Sequence, residues 1–296
     1  MFPPGGDDNQ GPVSSVDALL PPEMAQKAER IGAAKAELPF AKLFTLAVLA
    51  GAFIALGAVF STTVGAGLGG VPWGLSRLVV GVTFCLGLIL VVAAGAELFT
   101  GNNLIVMAWA GGRVSAAKLV RNWIVVYAGN LVGSLATAAL VFMAGHHHLG
   151  GGAVGVNALS IAQAKCALPF VPALALGVLC NALVCLAVWL CFSARSLVDK
   201  IAAIVFPITA FVAAGFEHSV ANMYFIPSGL LIKLGAGPDF WAAVQMAPTD
   251  FPRLDWIDFW LGNLLPVTIG NIIGGTILVG LVYWFVYLRG NHRHGG

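Results

Sequence analysis

Long apolar runs separated by short polar connections dominate the pattern of this chain. Six such runs occur, near residues 40–66, 75–112, 117–144, 169–192, 197–236 and 257–288. Each run reaches the roughly 20 residues that a helix needs to cross the hydrocarbon of a bilayer. The second and fifth runs are too long for a single crossing. The pattern therefore predicts an all-α membrane protein with six transmembrane helices, two of which are broken.

The two long runs are interrupted by glycine together with polar residues. The interruptions are residues 95–103 (GAELFTGNN) in the second run and residues 215–218 (GFEH) in the fifth. Irregular backbone at membrane depth is tolerated only where protein or water covers it. We therefore expect both helices to change direction inside the membrane.

The third and sixth runs share a spacing of asparagine and glycine. Residues Asn122, Gly129, Asn130 and Gly133 recur at the same offsets as Asn263, Gly270, Asn271 and Gly274. Each half of the chain then consists of a helix, a broken helix and a helix with a Gly-Asn-x-x-Gly face. Because three crossings reverse the direction of the chain, the halves form a 3+3 inverted repeat. Such repeats commonly place a transport path at their interface.

Composition and charge agree with this organisation. The chain is 59% hydrophobic and 9% charged, and its mean hydropathy is +0.90. Of its 15 Lys and Arg residues, eleven fall on the side of the termini and four on the opposite side. This asymmetry predicts that both termini are cytoplasmic. A net charge of +2 without a basic run gives no reason to expect nucleic acid as a partner.

The domain organisation follows from the position of the apolar runs. We expect a cytoplasmic N-terminal segment at 1–38, a transmembrane channel domain at 39–289 and a cytoplasmic tail at 290–296. Residues 18–37 have the amphipathic spacing of a helix. Such a helix either lies on the membrane surface or covers the cytoplasmic mouth of a path.

His218 is the only histidine inside an apolar run, and ionisable residues at that depth usually serve a path or a site. The half-helix that follows a break presents free N–H groups and a positive dipole end. This end suits a small anion, to which an imidazole adds a proton or a hydrogen bond. Thr100 lies at the other break. Its hydroxyl can donate to a passing anion or to the His218 ring, or it can cap the half-helix that starts near Gly101.

Two carboxylates occupy corresponding positions in the breaks. Glu97 and Glu217 would repel an anion if they faced the path as free charges. We expect both to turn away from it and to accept backbone N–H groups, which would fix the bends structurally.

Three apolar residues precede the breaks, namely Phe84, Leu88 and Phe211. Core packing is their default role, but on a path they would form narrow gates against hydrated ions. A bare charge at mid-bilayer costs about 2.5 to more than 10 kcal/mol. A weak acid avoids much of this cost by accepting a proton, which favours a small monovalent weak-acid anion as the substrate.

Other chemistries are less well supported by the sequence. The residues 146–148 (HHH) are interpreted as a flexible solvated turn rather than a metal site, and no cofactor is expected. The five cysteines show no CxxC spacing and are interpreted as buried apolar residues. An intramembrane enzyme is the alternative from another class. His218 and Ser219 would point about 100° apart on a helix, which makes a poor catalytic pair.

Four segments in order resemble the formate/nitrite transporter family. They are residues 95–102 (GAELFTGN), 181–189 (NALVCLAVW), 215–223 (GFEHSVANM) and 266–275 (PVTIGNIIGG). Within the family the chain is most similar to formate channels, through residues 19–29 and 280–289. The resemblance implies an aquaporin-like six-helix protomer in a homopentamer, with one path per subunit, in the bacterial cytoplasmic membrane.

The resemblance also implies a substrate and individual roles. It assigns Thr100 and His218 to a central polar site, and Leu88 and Phe211 to constrictions with Phe84 nearby. It also implies that Asn181 and Asn271 line or support the path and that Lys165 attracts anions at the outer mouth. The N-terminal segment would gate the inner mouth with pH. Formate is the expected substrate. Nitrite and hydrosulfide are the alternatives, because residues 101–103 (GNN) differ from the Ser and Thr of some formate channels.

Overall fold

A computed structural model describes residues 18–290 and is helical throughout this part of the chain, apart from turns and connections. Residues 1–17 of the predicted N-terminal segment and residues 291–296 of the predicted tail lie outside the described residues.

The first half of the described chain contains six α-helices and one 3₁₀ turn. They are α1 (Pro21–Ala36), α2 (Phe40–Gly65), α3 (Trp73–Ala94), α4 (Phe99–Asn102), a 3₁₀ turn (Asn103–Ile105), α5 (Val106–Ala110) and α6 (Ala116–Met143). The predicted break in the second apolar run is confirmed, because α3 ends and α4 begins inside it.

The second half repeats this order with longer connections. Its elements are a 3₁₀ turn (His146–His148), α7 (Ala153–Cys166), α8 (Phe170–Ser193), α9 (Leu197–Ala214), α10 (Ser219–Gly235), α11 (Pro238–Val244) and a second 3₁₀ turn (Pro248–Asp250). A last long helix follows, with π-helical segments (Asp258–Leu264 and Ile273–Leu281) on either side of α12 (Leu265–Ile272) and α13 (Val282–Tyr287) at its end.

The long helices match the predicted crossings. Five uninterrupted helices of the described part are long and apolar enough to cross a membrane, namely α2, α3, α6, α8 and the last helix at Asp258–Tyr287. The fifth predicted crossing is instead divided between α9 and α10, which have 18 and 17 residues. The break in this run is therefore also confirmed.

A glycine in the left-handed conformation ends the helix before each break. Gly95 and Gly215 both have φ of +76°, a value that costs glycine little because it has no Cβ. After each glycine, the next N–H bonds back to the helix, from Ala96 to the carbonyl of Val91 and from Phe216 to that of Phe211. This pairing is the Schellman arrangement that closes helix C-termini.

Asn130 and Asn271 satisfy the backbone groups that the breaks set free. The Oδ1 of Asn130 accepts the N–H of Phe99 at 2.9 Å, and its Nδ2 donates to the carbonyl of Glu97 at 3.0 Å. In the second half, Asn271 accepts from Ser219 at 2.9 Å and donates to the carbonyl of Glu217 at 3.0 Å. Buried irregular backbone needs such partners, so these two residues make the breaks possible.

The glycines around those asparagines allow neighbouring helices to touch. A Cβ on Gly133 would overlap the carbonyl oxygen of Val48, and one on Gly274 would overlap that of Val178. The two contacts are equivalent in the two halves, which supports the Gly-Asn-x-x-Gly face predicted from the sequence.

The connection near residue 147 differs from the prediction. His147 is only 7% exposed and stacks on Phe142 at a ring distance of 5.0 Å, with Phe240 edge-on at 5.3 Å. The interpretation of residues 146–148 as a flexible solvated turn is therefore wrong for His147, because aromatic neighbours bury its ring. Within residues 18–290, no group of three or more His, Cys, Asp or Glu side chains could hold a metal ion.

Candidate anion path

Two cavities lie beside the two breaks, and each is named here after the lysine that pairs with the glutamate of its break. The Lys35 cavity has a volume of about 290 Å³, and its lining includes Leu88, Gly101 and residues of α1. The Lys165 cavity has a volume of about 310 Å³, and its lining includes Phe84, Phe211 and His218. Because α1 lines the Lys35 cavity, the structure agrees with a cover over one mouth rather than with a helix that lies apart on the membrane surface.

Apolar side chains separate the two cavities. Leu88, Phe84 and Phe211 are only 2–3% exposed, with Leu88 lining one cavity and the two phenylalanines the other. The rings of Phe84 and Phe211 meet edge-on at 5.7 Å, and Phe211 stacks against His218 at 5.9 Å. The three apolar side chains offer no hydrogen-bonding group that could replace the hydration of an ion.

Thr100 and His218 provide the polar contact in this apolar region. Both side chains are buried, and Thr100 Oγ1 lies 2.9 Å from His218 Nε2. The predicted contact between the two breaks is thus present. The alternative role of Thr100 as a helix cap is wrong, because α4 begins at Phe99 with Leu98 at its N-cap position.

The second ring nitrogen of His218 fixes the direction of that hydrogen bond. His218 caps α10, and its Nδ1 accepts the backbone N–H of Ala221 at 3.0 Å. A nitrogen that accepts carries no proton, so the neutral ring holds its proton on Nε2. Nε2 then donates to Thr100 Oγ1, which leaves the threonine O–H free to donate to a third group. The geometry thus points one hydroxyl hydrogen away from the histidine.

Glu217 is held by side chains rather than by the backbone. Its carboxylate accepts Lys165 Nζ at 2.8 Å and Asn222 Nδ2 at 2.6 Å, and Asn263 Nδ2 lies at 3.3 Å. The expectation that it accepts backbone N–H groups is wrong, because these three side chains supply its donors. Among the backbone donors of the break, the N–H of Glu217 bonds to the carbonyl of Leu176 and that of Ser219 to Asn271 Oδ1.

Glu97 repeats this arrangement at the other break. It pairs with Lys35 at 3.0 Å and accepts Asn102 Nδ2 at 2.7 Å. Asn102 also donates to Asn122 at 3.0 Å, as Asn222 does to its counterpart Asn263 in the second half. The prediction that Glu97 accepts backbone N–H groups is also wrong, because side chains supply the donors to its carboxylate. Each carboxylate carries a paired lysine, so neither faces the path as a free negative charge.

Asn181 and Asn271 are buried outside the lining of the two cavities. Both side chains are fully buried, and neither belongs to the lining of the two cavities. Asn181 Nδ2 donates to Asn103 Oδ1 and to the carbonyl of Asn271, both at 2.7 Å. Their contacts connect the two breaks. The resemblance implied that these residues either line or support the path, and their positions favour support.

Basic side chains outnumber acidic ones in both cavities. Lys27, Lys35 and Lys200 line the Lys35 cavity against Glu97 alone. Arg77 and Lys165 line the Lys165 cavity against Glu217 alone. Charged walls of one sign concentrate ions of the opposite sign, so both cavities favour anions.

Lys27 shows how closely the positive charges gather on the Lys35 side. Its Nζ donates to the carbonyl of Phe192 at 2.8 Å. Burial, followed by the neighbouring Arg195, Lys200 and Arg30, lowers the pKa of Lys27 below its ordinary value. Burial is the largest cause, and the three basic neighbours add to it, so several positive charges lie near one another on this side.

The sequence reasoning missed several of these residues, although a signal was present. Residues 34–40 (AKAELPF) and 164–170 (AKCALPF) share an Ala-Lys-x-x-Leu-Pro-Phe pattern at a spacing of 130. A second pair, Glu97 with Asn102 and Glu217 with Asn222, repeats at a spacing of 120. Together these repeats would have identified Lys35 as the partner of Lys165 and both asparagines as ligands of the carboxylates.

Comparison with known proteins places these features in a family. A family model described as formate/nitrite transporter matches residues 22–285. The chain is 49% identical over 278 residues to the formate channel FocA of Escherichia coli (strain K12), covering 94% of this chain and 98% of that protein. It is 44% identical over 270 residues to the formate channel FocA of Haemophilus influenzae, covering 91% and 94%.

Solved structures give the same relationship. A structure described as a pentameric formate channel with formate bound has a TM-score of 0.81 and 45% identity, covering 84% of this chain and 98% of that one. A structure described as an FNT family ion channel has a TM-score of 0.76 and 30% identity, covering 89% and 98%.

Proposed function

Since the chain belongs to the formate/nitrite transporter family, we propose that it is a membrane channel for formate and related small monovalent anions. It is a transport protein and not an enzyme. The observation that carries the proposal is the buried pair of Thr100 and His218 between two cavities with excess positive charge. This pair offers a directed hydrogen bond at the point where an anion has lost its water.

The proposed passage has three steps. An anion enters one cavity, attracted by lysines that are only partly neutralised by Glu97 or Glu217. It then sheds water at the constriction formed by Leu88 and Phe211. There the O–H of Thr100 donates to it, which replaces part of the lost hydration. Hydrogen bonds to charged groups contribute about 1.5–3 kcal/mol, a useful fraction of the cost of a bare charge.

The N-cap of α10 restricts how His218 takes part in proton transfer. A neutral ring has its only proton on Nε2, and giving it away would create an unstable anion of the ring. Donation of a full proton therefore requires His218 to be protonated on Nδ1 first. That proton would face the N–H of Ala221, so the ring must leave its capping position. We propose that the capped ring donates hydrogen bonds only and that proton coupling begins when the cap opens.

The assembly and location are proposed on related grounds. A relative of known structure is described as pentameric, and we propose that this chain forms a homopentamer with a path in each subunit. The described helices carry many exposed large apolar side chains, which suit lipid and neighbouring subunits. From the Lys and Arg asymmetry, we propose that both termini and the Lys35 cavity face the cytoplasm. We also propose that the membrane is a bacterial cytoplasmic membrane, because relatives come from Escherichia coli and Haemophilus influenzae.

The finer proposals concern α1 and the substrate. Because α1 lines the Lys35 cavity, we propose that it closes the cytoplasmic mouth and that its movement sets a pH-dependent gate. Formate is the proposed substrate because relatives at 49% and 44% identity are named formate channels.

Purified protein in proteoliposomes tests the proposal directly. Initial uptake of formate, nitrite and hydrosulfide is measured at two pH values, with empty liposomes as the baseline. His218→Phe should slow formate uptake strongly, because a phenyl ring has no N–H to donate to Thr100 Oγ1. His148→Asn is the matched control and should transport normally, because His148 is exposed in the 3₁₀ turn between α6 and α7. Absence of flux for all three anions in the unmodified protein would refute the channel proposal.

A further inference from the structure

Arg77 connects the two broken helices beside the Lys165 cavity. It belongs to α3, and its Nε donates to the carbonyl of Ala213 at 3.0 Å, while Nη2 donates to that of Val212. Both carbonyls lie in the last turn of α9, just before the glycine at the break. A Cβ on that glycine, Gly215, would lie 3.6 Å from the same Nη2. The guanidinium therefore sits directly over the end of the half-helix.

The carbonyl of Ala213 has lost its usual partner. In a continued helix, the N–H of Glu217 would reach it, but that N–H bonds to the carbonyl of Leu176 instead. The other backbone donors of the break go to Phe211 and Val212. Arg77 supplies the missing donor from another helix.

The end of α9 poses an electrostatic problem for an anion path. A helix C-terminus carries roughly half a negative charge on its free carbonyls. Val212, Gly215 and Phe216 line the Lys165 cavity, so this negative end adjoins the space that anions enter. Left uncovered, it would oppose the attraction that Lys165 provides.

The first half of the chain solves the corresponding problem differently. At the spacing of 120 residues, the position equivalent to Arg77 is Leu197, which is 55% exposed. The Lys35 cavity instead has two further lysines, Lys27 and Lys200. At the spacing of 130 residues, the position equivalent to Lys27 is Asn157 in α7, which carries no charge. The Lys165 cavity has only Lys165 besides Arg77, so Arg77 supplies half of its basic side chains.

We propose that Arg77 is a positioning and electrostatic residue of the path, which ties down the end of α9 and masks its negative pole from entering anions. The inference rests on the proposed channel function and extends it. An arginine suits the task because its planar fork reaches two carbonyls at once and stays charged at every working pH.

The test compares Arg77→Gln with the unmodified channel at two ionic strengths. We expect formate uptake to fall about tenfold at low salt, where charged clefts raise ion capture by about 10-fold or more. At about 1 M inert salt, where the Debye length is about 3 Å, the deficit should shrink to less than about twofold. Arg77→Lys keeps the charge and should retain most of the uptake at both ionic strengths.

Two further variants make the result specific. Arg253→Gln removes a charge from the same side of the protein at a residue outside the cavity lining, and should leave uptake unchanged at both ionic strengths. Val80→Glu adds a carboxylate one turn from Arg77 on the cavity wall. It should lower uptake with the same salt dependence, whereas any loss in Val80→Gln should be equal at both ionic strengths, because glutamine adds no charge. This second pair tests the charge even if Arg77→Gln fails to assemble.

The outcomes separate this inference from the channel proposal. Formate flux in the unmodified protein with no loss in Arg77→Gln or Val80→Glu would overturn the role of Arg77 and leave the channel intact. A loss in Arg77→Gln that is equal at both ionic strengths would indicate a merely structural residue and would also overturn it.

Discussion

Replacing Thr100 by valine removes one hydroxyl from the centre of the path and little else. Valine has nearly the same shape as threonine, so the buried volume is kept. The loss of Oγ1 takes away the acceptor that lies 2.9 Å from His218 Nε2 and the O–H that we propose donates to the anion. The variant therefore isolates the hydrogen-bonding step of transport.

The size of the effect follows from the contact that disappears. A hydrogen bond to a charged group contributes about 1.5–3 kcal/mol. If it is lost where the anion is least hydrated, the barrier rises by that amount and the rate falls roughly 10- to 150-fold. A second consequence concerns the protein itself. The Nε2–H of the His218 ring loses its acceptor, and an unpaired buried donor destabilises the fold by about 1–3 kcal/mol.

The assay is initial formate uptake into proteoliposomes, accompanied by thermal unfolding in detergent. Thr100→Ser restores the hydroxyl and should recover most of the rate. Thr209→Val is the matched control, because Thr209 is also a buried threonine and its hydroxyl contacts Cys85 Sγ at 3.4 Å rather than the histidine. The reasoning is refuted if Thr100→Val transports at the normal rate while remaining folded.

Three further changes test the supports of the path. Asn271→Leu removes the partners of the second break and should lower the unfolding temperature by several degrees, since each unpaired buried group costs about 1–3 kcal/mol. Lys165→Met leaves the buried Glu217 without its cation and should destabilise by about 3–5 kcal/mol while slowing uptake. Burial lowers the pKa of His147, so the unfolded chain binds more protons and stability should fall as pH drops through the ordinary value of 6.5. His147→Phe should weaken this dependence and leave the part that comes from His146, whose pKa burial also lowers.

Each of these changes has its own control and measurement. Asn157→Leu, at a half-buried asparagine outside the breaks, should affect the unfolding temperature less than Asn271→Leu. Lys233→Met removes another lysine of the same side that has only carbonyl partners, so it strands no carboxylate. For His147, unfolding curves are recorded between about pH 5 and pH 8, the range in which histidine titrates. An unchanged pH slope in His147→Phe would contradict the assignment.

The elements of the fold were predictable because they depend on local pattern. Apolar runs long enough to span lipid fixed the long helices to within a few residues. The glycines at 95 and 215 located both breaks, since only glycine adopts their backbone conformation without strain. Helix α7 was missed because it lies between the third and fourth apolar runs, outside the segments that the hydropathy pattern assigns to helices. The short repeat that it shares with the end of α1 spans only seven positions.

The partners of the site were harder to predict because they come from distant parts of the chain. Glu217 was expected to accept backbone donors, yet its partners include Lys165, 52 residues before it, and Asn263, 46 residues after it. Arg77 lies 136 residues from the carbonyl that it caps. Such pairings depend on how helices are packed together, which hydropathy and spacing along the chain do not describe. The contact between Thr100 and His218 was predictable because both residues lie at matching breaks.

The two halves of the chain share the carboxylate, lysine and asparagine contacts at their breaks but differ at the centre of the path. At the spacing of 120 residues, the counterpart of Thr100 is Val220 and the counterpart of His218 is Leu98, so neither polar group is duplicated. The near-symmetric scaffold thus holds one polar pair at its centre, and the proposed anion site is single rather than two sites in series. In the proposed channel, each path would then hold a single dehydrated anion at a time. Conduction should saturate hyperbolically with concentration, without the mutual repulsion between queued ions that speeds multi-ion pores.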